Sequence, residues 1–422
     1  MNGAASVWFL FCLFIVIHHV ICYQAWKKCG NVHITISADI HSYLELNWIT
    51  DCQNENDVYP QYIDLYSRNI IDRDESTIPL VRVNASAFPG GYFKTKIKFR
   101  IPWLPGSWDY NVPFSRPEPG SHCFPYWIAS IKREEVLDSK CFGIHPTWMN
   151  DNRATLGKKK IGTLILPGTH NSGSFSGIPP LFENYVLNQD RNIWTQLVYG
   201  VRYLDFRVGY YENEGYFINH DLVRVTKVLP LFREIRKFLE FAPKEIVILD
   251  FHRFPYPSNF NYTLHKNFAN LVYQELGDLA LAPESLQEGK GPAMNEIWAR
   301  NKNLIICYSD RTTVSENNWL WDPLVQYWGN RKKVSELKNF LQRSIKERRI
   351  TLNPLWALMA ELTPQTLDLV FRTNNLRQLA DDVNKHVTKW VRDEWSDEVN
   401  IVATDYFLGN DLINIAIDVN TR

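Results

Sequence analysis

The sequence predicts two folded parts in one chain: an antiparallel β-sandwich of about seven strands over residues 23–145, then an α/β barrel of the TIM type over 146–422. Three observations predict this. Apolar and polar residues alternate at period two through the first part. Strand-length apolar runs alternate with helical stretches through the second. The pattern changes across a short connector, Ile144 to Asp151. A chain of 422 residues also exceeds one ordinary domain.

The first 22 residues read as a secretory leader. Val7 to Ile21 form an apolar run interrupted by His18 and His19, too short to span a bilayer comfortably, and Val20-Ile21-Cys22 supplies a small-residue cleavage pattern. The expected mature chain starts near Tyr23; the missing positive n-region keeps an uncleaved anchor as the alternative. After the leader come His33-Ile34-Thr35-Ile36-Ser37, Tyr43 to Trp48, Tyr62 to Tyr66 and Phe93 to Phe99, each suited to a strand with one buried face. Phe88-Pro89-Gly90-Gly91 and Arg116-Pro117-Glu118-Pro119-Gly120 are turns between strands, and no helix of any length is expected here.

Cysteine usage agrees with export. Beyond the leader, Cys29, Cys52, Cys123 and Cys141 precede residue 142 and predict two disulfides. Three pairings are open, and we expect Cys29–Cys52 with Cys123–Cys141. Cys307, within Leu304-Ile305-Ile306-Cys307, reads as a buried strand thiol. Asn84-Ala85-Ser86 and Asn261-Tyr262-Thr263 are glycosylation sequons in an exported chain.

In the second part the expected strands are Ile161 to Leu166, Tyr203 to Val208, Glu245 to Phe251, Leu304 to Tyr308 and Val399 to Asp405. Helices are expected over Pro230–Ala242, Tyr262–Leu276, Val334–Arg349 and Leu376–Asp393. Polar residues at strand C-terminal ends face the mouth of such a barrel. That rule gathers His170 after the first strand, Asp205 and Arg207 on the second, and His220 ending the short piece Tyr216 to Asn219. Asp250, His252 and the late Asp405 complete the set.

This set suits phosphodiester cleavage. One group must take a proton from the attacking oxygen and another must protonate the leaving oxygen; two imidazoles titrating near neutrality can do both. Negative charge gathers on phosphorus, which a fixed guanidinium or a metal offsets. Carboxylates beside imidazoles fix the tautomer. Lys+Arg 46 balances Asp+Glu 46, so no bulk field draws the chain to nucleic acid, and membrane contact must be local and peripheral. The triplet Lys158-Lys159-Lys160 is a solvated lead-in, with contact to lipid headgroups as the alternative.

Leu166-Pro167-Gly168-Thr169-His170-Asn171-Ser172, followed by Gly200-Val201-Arg202-Tyr203-Leu204-Asp205-Phe206-Arg207, resembles the X-domain of phosphatidylinositol-specific phospholipases C, its small X-domain-only branch above all. The resemblance runs from 160 to about 408. It implies His170 as general base on the inositol 2-hydroxyl and His220 as the acid that protonates the leaving glycerol oxygen. Arg207 would hold the phosphate, as in the metal-independent bacterial enzymes, with Asp205 beside it and Asp405 bonded to the first histidine. Asn171, His252 and Trp328 are the expected substrate contacts, though support of a loop suits Trp328 as well.

Two departures bear on activity. Asp221 follows His220 where the family usually has Gly. Asn171 is the animal-type calcium ligand, yet Arg207 stands where a calcium-binding acid would be, and His252 where a further calcium-binding Glu would be. The expectation is therefore chemistry without a metal or other cofactor. The substrate would be a phosphatidylinositol lipid, free or as a glycosyl-phosphatidylinositol anchor. A catalytically inactive scaffold of the same fold is the alternative. A glycerophosphodiesterase-type barrel would want a cluster of metal-binding Glu residues near His170, which is not found.

Overall fold

The computed structural model describes residues 29–422 apart from 53–57, 71–76, 112–115, 177–179, 284–288, 349–352, 366–367 and 369–372; the expected leader, 1–22, lies outside the described residues. Seven strands come first: β1 Val32–Ile36, β2 Tyr43–Trp48, β3 Tyr62–Tyr66, β4 Val81–Asn84, β5 Tyr92–Lys98, β6 His122–Lys132 and β7 Glu135–Ile144. They form two antiparallel sheets, β1-β2-β5 and β4-β3-β6-β7. The β6–β7 hairpin turns on Arg133 and Glu134, both at positive φ (50° and 69°), the pair of angles a two-residue turn needs to match strand twist. Ile34, Leu44, Leu46 and Trp48 of one sheet share an apolar cluster with Ile63, Leu65, Phe124 and Ile128 of the other. The disulfides pair Cys29 with Cys52 and Cys123 with Cys141, as expected.

The period-two pattern misleads on one face. Thr35, Glu45 and Asn47, polar positions that alternation assigns to solvent, are buried. They bond to one another: Thr35 Oγ1 donates to Glu45 (2.8 Å) and Asn47 Nδ2 donates to Thr35 Oγ1 (3.0 Å). Tyr92 donates its hydroxyl to Glu45, and Lys94 pairs with Asp381 on the later helix Leu376–Trp390. Mutual pairing is what makes these polar groups tolerable inside.

The remaining strands build one curled sheet. They are β8 Leu166–Thr169, β9 Tyr203–Tyr211, β10 Gly215–His220, β11 Val223–Lys227, β12 Val247–Tyr256, β13 Leu304–Tyr308, β14 Val325–Trp328, β15 Trp356–Met359 and β16 Ile401–Thr404. Seven are parallel and follow chain order round the sheet: β8, β9, β12, β13, then β14, β15, β16. The last pairs with the first, Thr404 opposite Thr169. Among the described residues no ladder joins β13 to β14, so the curl has one gap, crossed only by a bridge between Cys307 and Trp321. Strands β10 and β11 are antiparallel additions to β9, not members of the parallel ring.

Helices occupy Val228–Phe241, Tyr262–Leu276, Val334–Lys346 and Leu376–Trp390, close to their expected bounds; the expected end at Arg349 lies outside the described residues. One strand was misplaced. Ile161–Thr163 is a 3-10 turn, and the strand begins at Leu166. The apolar run is buried all the same, because Asn400 Nδ2 donates to the carbonyls of Ile161 (3.2 Å) and Leu164 (2.8 Å) and folds the run into the floor of the sheet. Cys307 is fully buried and burial pushes its thiol well up, as a strand thiol should be.

Arg202, within the second motif, anchors the floor. Fully buried, it gives Nη2 to Glu245 (2.6 Å) and Pro146 O (2.8 Å) and Nη1 to Leu197 O (2.8 Å). Glu245 also accepts the N–H groups of Met149 and Asn150, so connector and sheet meet on one ion pair. Above it, β9 and β12 alternate. Tyr203 and Ile248 point into the curl and Leu204 and Leu249 point outward, which brings Asp205 and Asp250 inward as register partners.

Candidate active site

The register of β8 against β16 creates the centre of the site. Because Thr169 and Thr404 are partners, the next residues, His170 and Asp405, emerge side by side. His170 Nδ1 lies 2.8 Å from Asp405 Oδ1, and its backbone N–H donates to Thr404 O (3.1 Å). Asn188 Nδ2 donates to the same Asp405 oxygen (3.1 Å), and Gln189 Nε2 bridges His170 O and Thr404 O. The carboxylate calls for a proton on Nδ1, leaving Nε2 as the acceptor. Nε2 is buried and, among the described residues, has no hydrogen-bond partner.

Asp205 sits beside this pair. Its Oδ2 accepts the N–H of Asn171 (2.9 Å) and lies 3.2 Å from Arg207 Nη2, while Oδ1 accepts from Gln326 Nε2 (3.1 Å). Burial alone would raise its pKa, but Arg207, His170 and His252 bring it down to about 2. Asn171 takes the left-handed conformation (φ 39°), and its amide donates to Asn188 and to Asn219 O, leaving Oδ1 buried and unpartnered.

His220 ends β10, which descends antiparallel to β9. Desolvation of its ring, with the positive charges of His170 and Arg207, holds its pKa at about 4, against the pull of Asp221. Arg207 acts on both imidazoles, and each histidine feels the same guanidinium. Asp221 has φ 48°, so the turn that Gly would make without strain is made here by Asp, one of the few residue types that visits that region. Removing its charge in Asp221→Asn takes away a group that favours the imidazolium. With His220 as the expected general acid, the alkaline limb of the kcat/KM profile is therefore expected at lower pH in the variant, read from rates across pH 4 to 8.

Asp250 accepts from Tyr203 Oη (2.8 Å) and Gln326 Nε2 (3.2 Å), with His252 Nδ1 at 3.4 Å. Trp328, at the end of β14 and 36% exposed, lies under the guanidinium of Arg253 (5.4 Å to the ring centre). The expected residues thus fall into two groups. His170, Asn171, Asp205, Arg207, His220 and Asp405 act on one another at the centre, while His252 lies against Asp250 and Trp328 against Arg253.

Sequence reasoning missed four participants: Asn188, Gln189, Gln326 and Glu361. Glu361 follows β15, a strand too short at four residues to register as a run. Only 2% exposed, its carboxylate has no hydrogen-bond partner among the described residues, with Oε1 3.9 Å from His170 Nε2. Burial pushes its pKa up to about 7 against the positive charge of His170. Glu361 and Asp405 together raise the pKa of His170 although burial pulls it down. A strand end carrying Glu after Trp356-Ala357-Leu358-Met359 was the available signal.

The curled parallel sheet with its helices has the fold of bacterial phosphatidylinositol-specific phospholipases C. The Listeria monocytogenes enzyme superposes with a TM-score of 0.51 at 18% identity, covering 66% of this chain and 98% of that one. A Staphylococcus aureus enzyme does so with a TM-score of 0.51 at 15% identity, covering 65% and 97%. By sequence the chain is a relative of PI-PLC X domain-containing proteins 1, 2 and 3. It is 32% identical to protein 1 of Mus musculus over 167 residues, 39% of this chain and 46% of that protein. With protein 3 of Danio rerio it shares 25% identity over 307 residues, 65% of this chain and 92% of the relative. The chain thus spans about half the length of protein 1 from Mus musculus and Homo sapiens, 46% and 49%. No family model matches the chain.

Proposed function

We propose that this chain is an exported phosphodiesterase that cleaves phosphatidylinositol lipids, free or as glycosyl-phosphatidylinositol anchors. Residues 1–22 are the leader, 23–145 a sandwich made of the two antiparallel sheets, and 146–422 the catalytic barrel. The two disulfides support export. The observation that carries the reading is the unpartnered Nε2 of His170, buried and steered by Asp405, beside a guanidinium that also acts on His220.

His170 Nε2 takes the proton of the inositol 2-hydroxyl as that oxygen attacks phosphorus. The bond from phosphorus to the glycerol oxygen breaks, and His220 protonates that oxygen. Diacylglycerol leaves, with a cyclic inositol phosphate as the other product. Arg207, held by Asp205, offsets the charge gathering on phosphorus. Asn171, His252 and Trp328 contact the headgroup. Without ligand the proton favours His170 over His220, the reverse of what the first step needs. A phosphodiester anion beside Arg207 raises His220, and the limbs of the pH profile then belong to the coupled pair.

Calcium does not fit these residues. Asp205 Oδ2 is taken up by Arg207 and the Asn171 N–H, and the guanidinium would face the ion. Peripheral membrane contact suits the rim, where Leu222 is 71% exposed two residues beyond His220. The Staphylococcus aureus neighbour is described for its membrane binding. The test offers phosphatidylinositol vesicles and an anchored reporter protein to the full chain, with and without chelator. Release of diacylglycerol or reporter that persists in chelator is expected. Release that stops in chelator and returns with calcium overturns the metal-free chemistry, and no release from either substrate favours the inactive scaffold.

A further inference from the structure

The connection from β5 to β6 folds over the barrel. Trp194 Nε1 donates to Trp108 O (2.6 Å), Lys237 donates to Tyr110 O, and both tryptophans are 1% exposed. Between this connection and the helix Ile193–Tyr199 lies an open pocket of about 460 Å³. Preformed clefts where two folded parts meet are where ligand sites concentrate. Its walls combine two chemistries. Arg100 and Arg191 bring two guanidiniums, and among the described residues the only carboxylate in the lining is Asp109, which accepts the Leu104 N–H (2.9 Å). Among the described residues the Arg100 guanidinium makes no hydrogen bond or ion pair, and that of Arg191 is engaged only through Nη1, with Asp190. The aromatic side is Trp103, 46% exposed, with Tyr110. A large ring left in water beside free cations suits a ligand that has both an apolar face and an anion. A pyranose lays its C–H face on an aromatic ring, and a phosphate on the sugar takes the forked N–H groups of Arg.

The pocket adjoins the catalytic side of the barrel. Gln189 Nε2 donates to His170 O, and Arg191 follows two residues later, a reach of about 7 Å at most. The helix then descends to the floor, where Leu197 O accepts from Arg202. A sugar joined to an inositol held at His170 therefore starts near the barrel wall of this pocket. We propose that the pocket is a subsite for a phosphorylated saccharide, the glycan of a glycosyl-phosphatidylinositol anchor, with Trp103 against a sugar ring and Arg100 and Arg191 on its phosphate. The inference rests on the phosphodiesterase reading above and chooses between its two substrates. The anchored lipid gains contacts that free phosphatidylinositol lacks, and the sandwich supplies one wall of the site.

The test measures the ratio of kcat/KM on an anchored reporter protein to kcat/KM on phosphatidylinositol, for wild type, Arg100→Ala, Trp103→Ala and Trp103→Phe. The ratio is expected to fall about 10-fold in each alanine variant, the loss of one charged contact or one ring face, and to recover in Trp103→Phe. Both side chains are exposed, and a circular dichroism melt checks that each variant folds. A ratio the same in all four proteins overturns the proposal. Calorimetric titration with mannose 6-phosphate reads the pocket without catalysis. Binding about 10-fold tighter than that of mannose or of inorganic phosphate, and weakened about 10-fold by Arg100→Ala, upholds the subsite. Equal binding by wild type and Arg100→Ala overturns it, as does tighter binding of a heparin tetrasaccharide, the mark of a sulfated chain. A wild type inactive on both lipids that still selects mannose 6-phosphate sinks the phosphodiesterase reading and upholds the saccharide site.

Discussion

On the proposed chemistry, His170→Ala is expected to leave about a hundredth or less of the wild-type kcat/KM on phosphatidylinositol, with the folded state intact. Among the described residues His170 Nε2 has no hydrogen-bond partner while Nδ1 is fixed by Asp405, and removal of a positioned general base costs about 10²–10⁴-fold. The surrounding network survives the loss, since Asp405 keeps its bond from Asn188 and Gln189 still bridges the backbones of 170 and 404. Asp405→Asn is expected to show a smaller defect of the same kind, because the amide no longer selects the tautomer. Initial rates with the circular dichroism melt of each variant check this. His170→Ala activity above a tenth of wild type, with a normal melt, would remove the imidazole from the chemistry.

Arg207→Leu is expected to fail twice, in rate and in stability. On the proposed chemistry, loss of the guanidinium that offsets charge on phosphorus costs about 10²–10³-fold in kcat. It also leaves Asp205 buried without its cation, and breaking one side of a buried pair costs roughly 3–5 kcal/mol. The pH dependence separates this from general damage. Asp205 has its folded pKa depressed to about 2, so the stability it contributes is present above the ordinary carboxylate value and is lost as pH falls through about 2. The gap between wild type and variant in urea unfolding should therefore be widest near pH 7 and shrink toward pH 3. A gap that does not change with pH would mean the loss is of packing, not charge.

Much of the centre was legible because it is local. His170, Asp205 and Arg207 lie in two short motifs: His170 follows a strand, and Asp205 and Arg207 ride within one whose alternation can be counted. Asp405 needed only the end of the last apolar run. The errors have physical causes as well. The run from Ile161 is apolar because it is buried, and burial does not distinguish a strand from a turn capped by Asn400. The outer face of the first sheet looked wet because Thr35, Glu45 and Asn47 are polar, but the helix Leu376–Trp390, whose Asp381 pairs with Lys94 287 positions earlier, lies against it. Gln326 ties Asp205, Tyr203 and Asp250 together from β14, a strand of four half-buried or exposed residues with no periodic signal.

What the sequence determined alone was which residues carry protons and charge, and on which kinds of element they ride, since both follow from side-chain chemistry and short-range periodicity. Tertiary structure alone decided the pairing of the first parallel strand with the last. That register sets an aspartate 235 positions away against His170 and brings the carboxylate of Glu361 to its other nitrogen. Distances across a curled sheet depend on hydrogen-bond register summed over every strand between, and no local pattern of residues contains that sum.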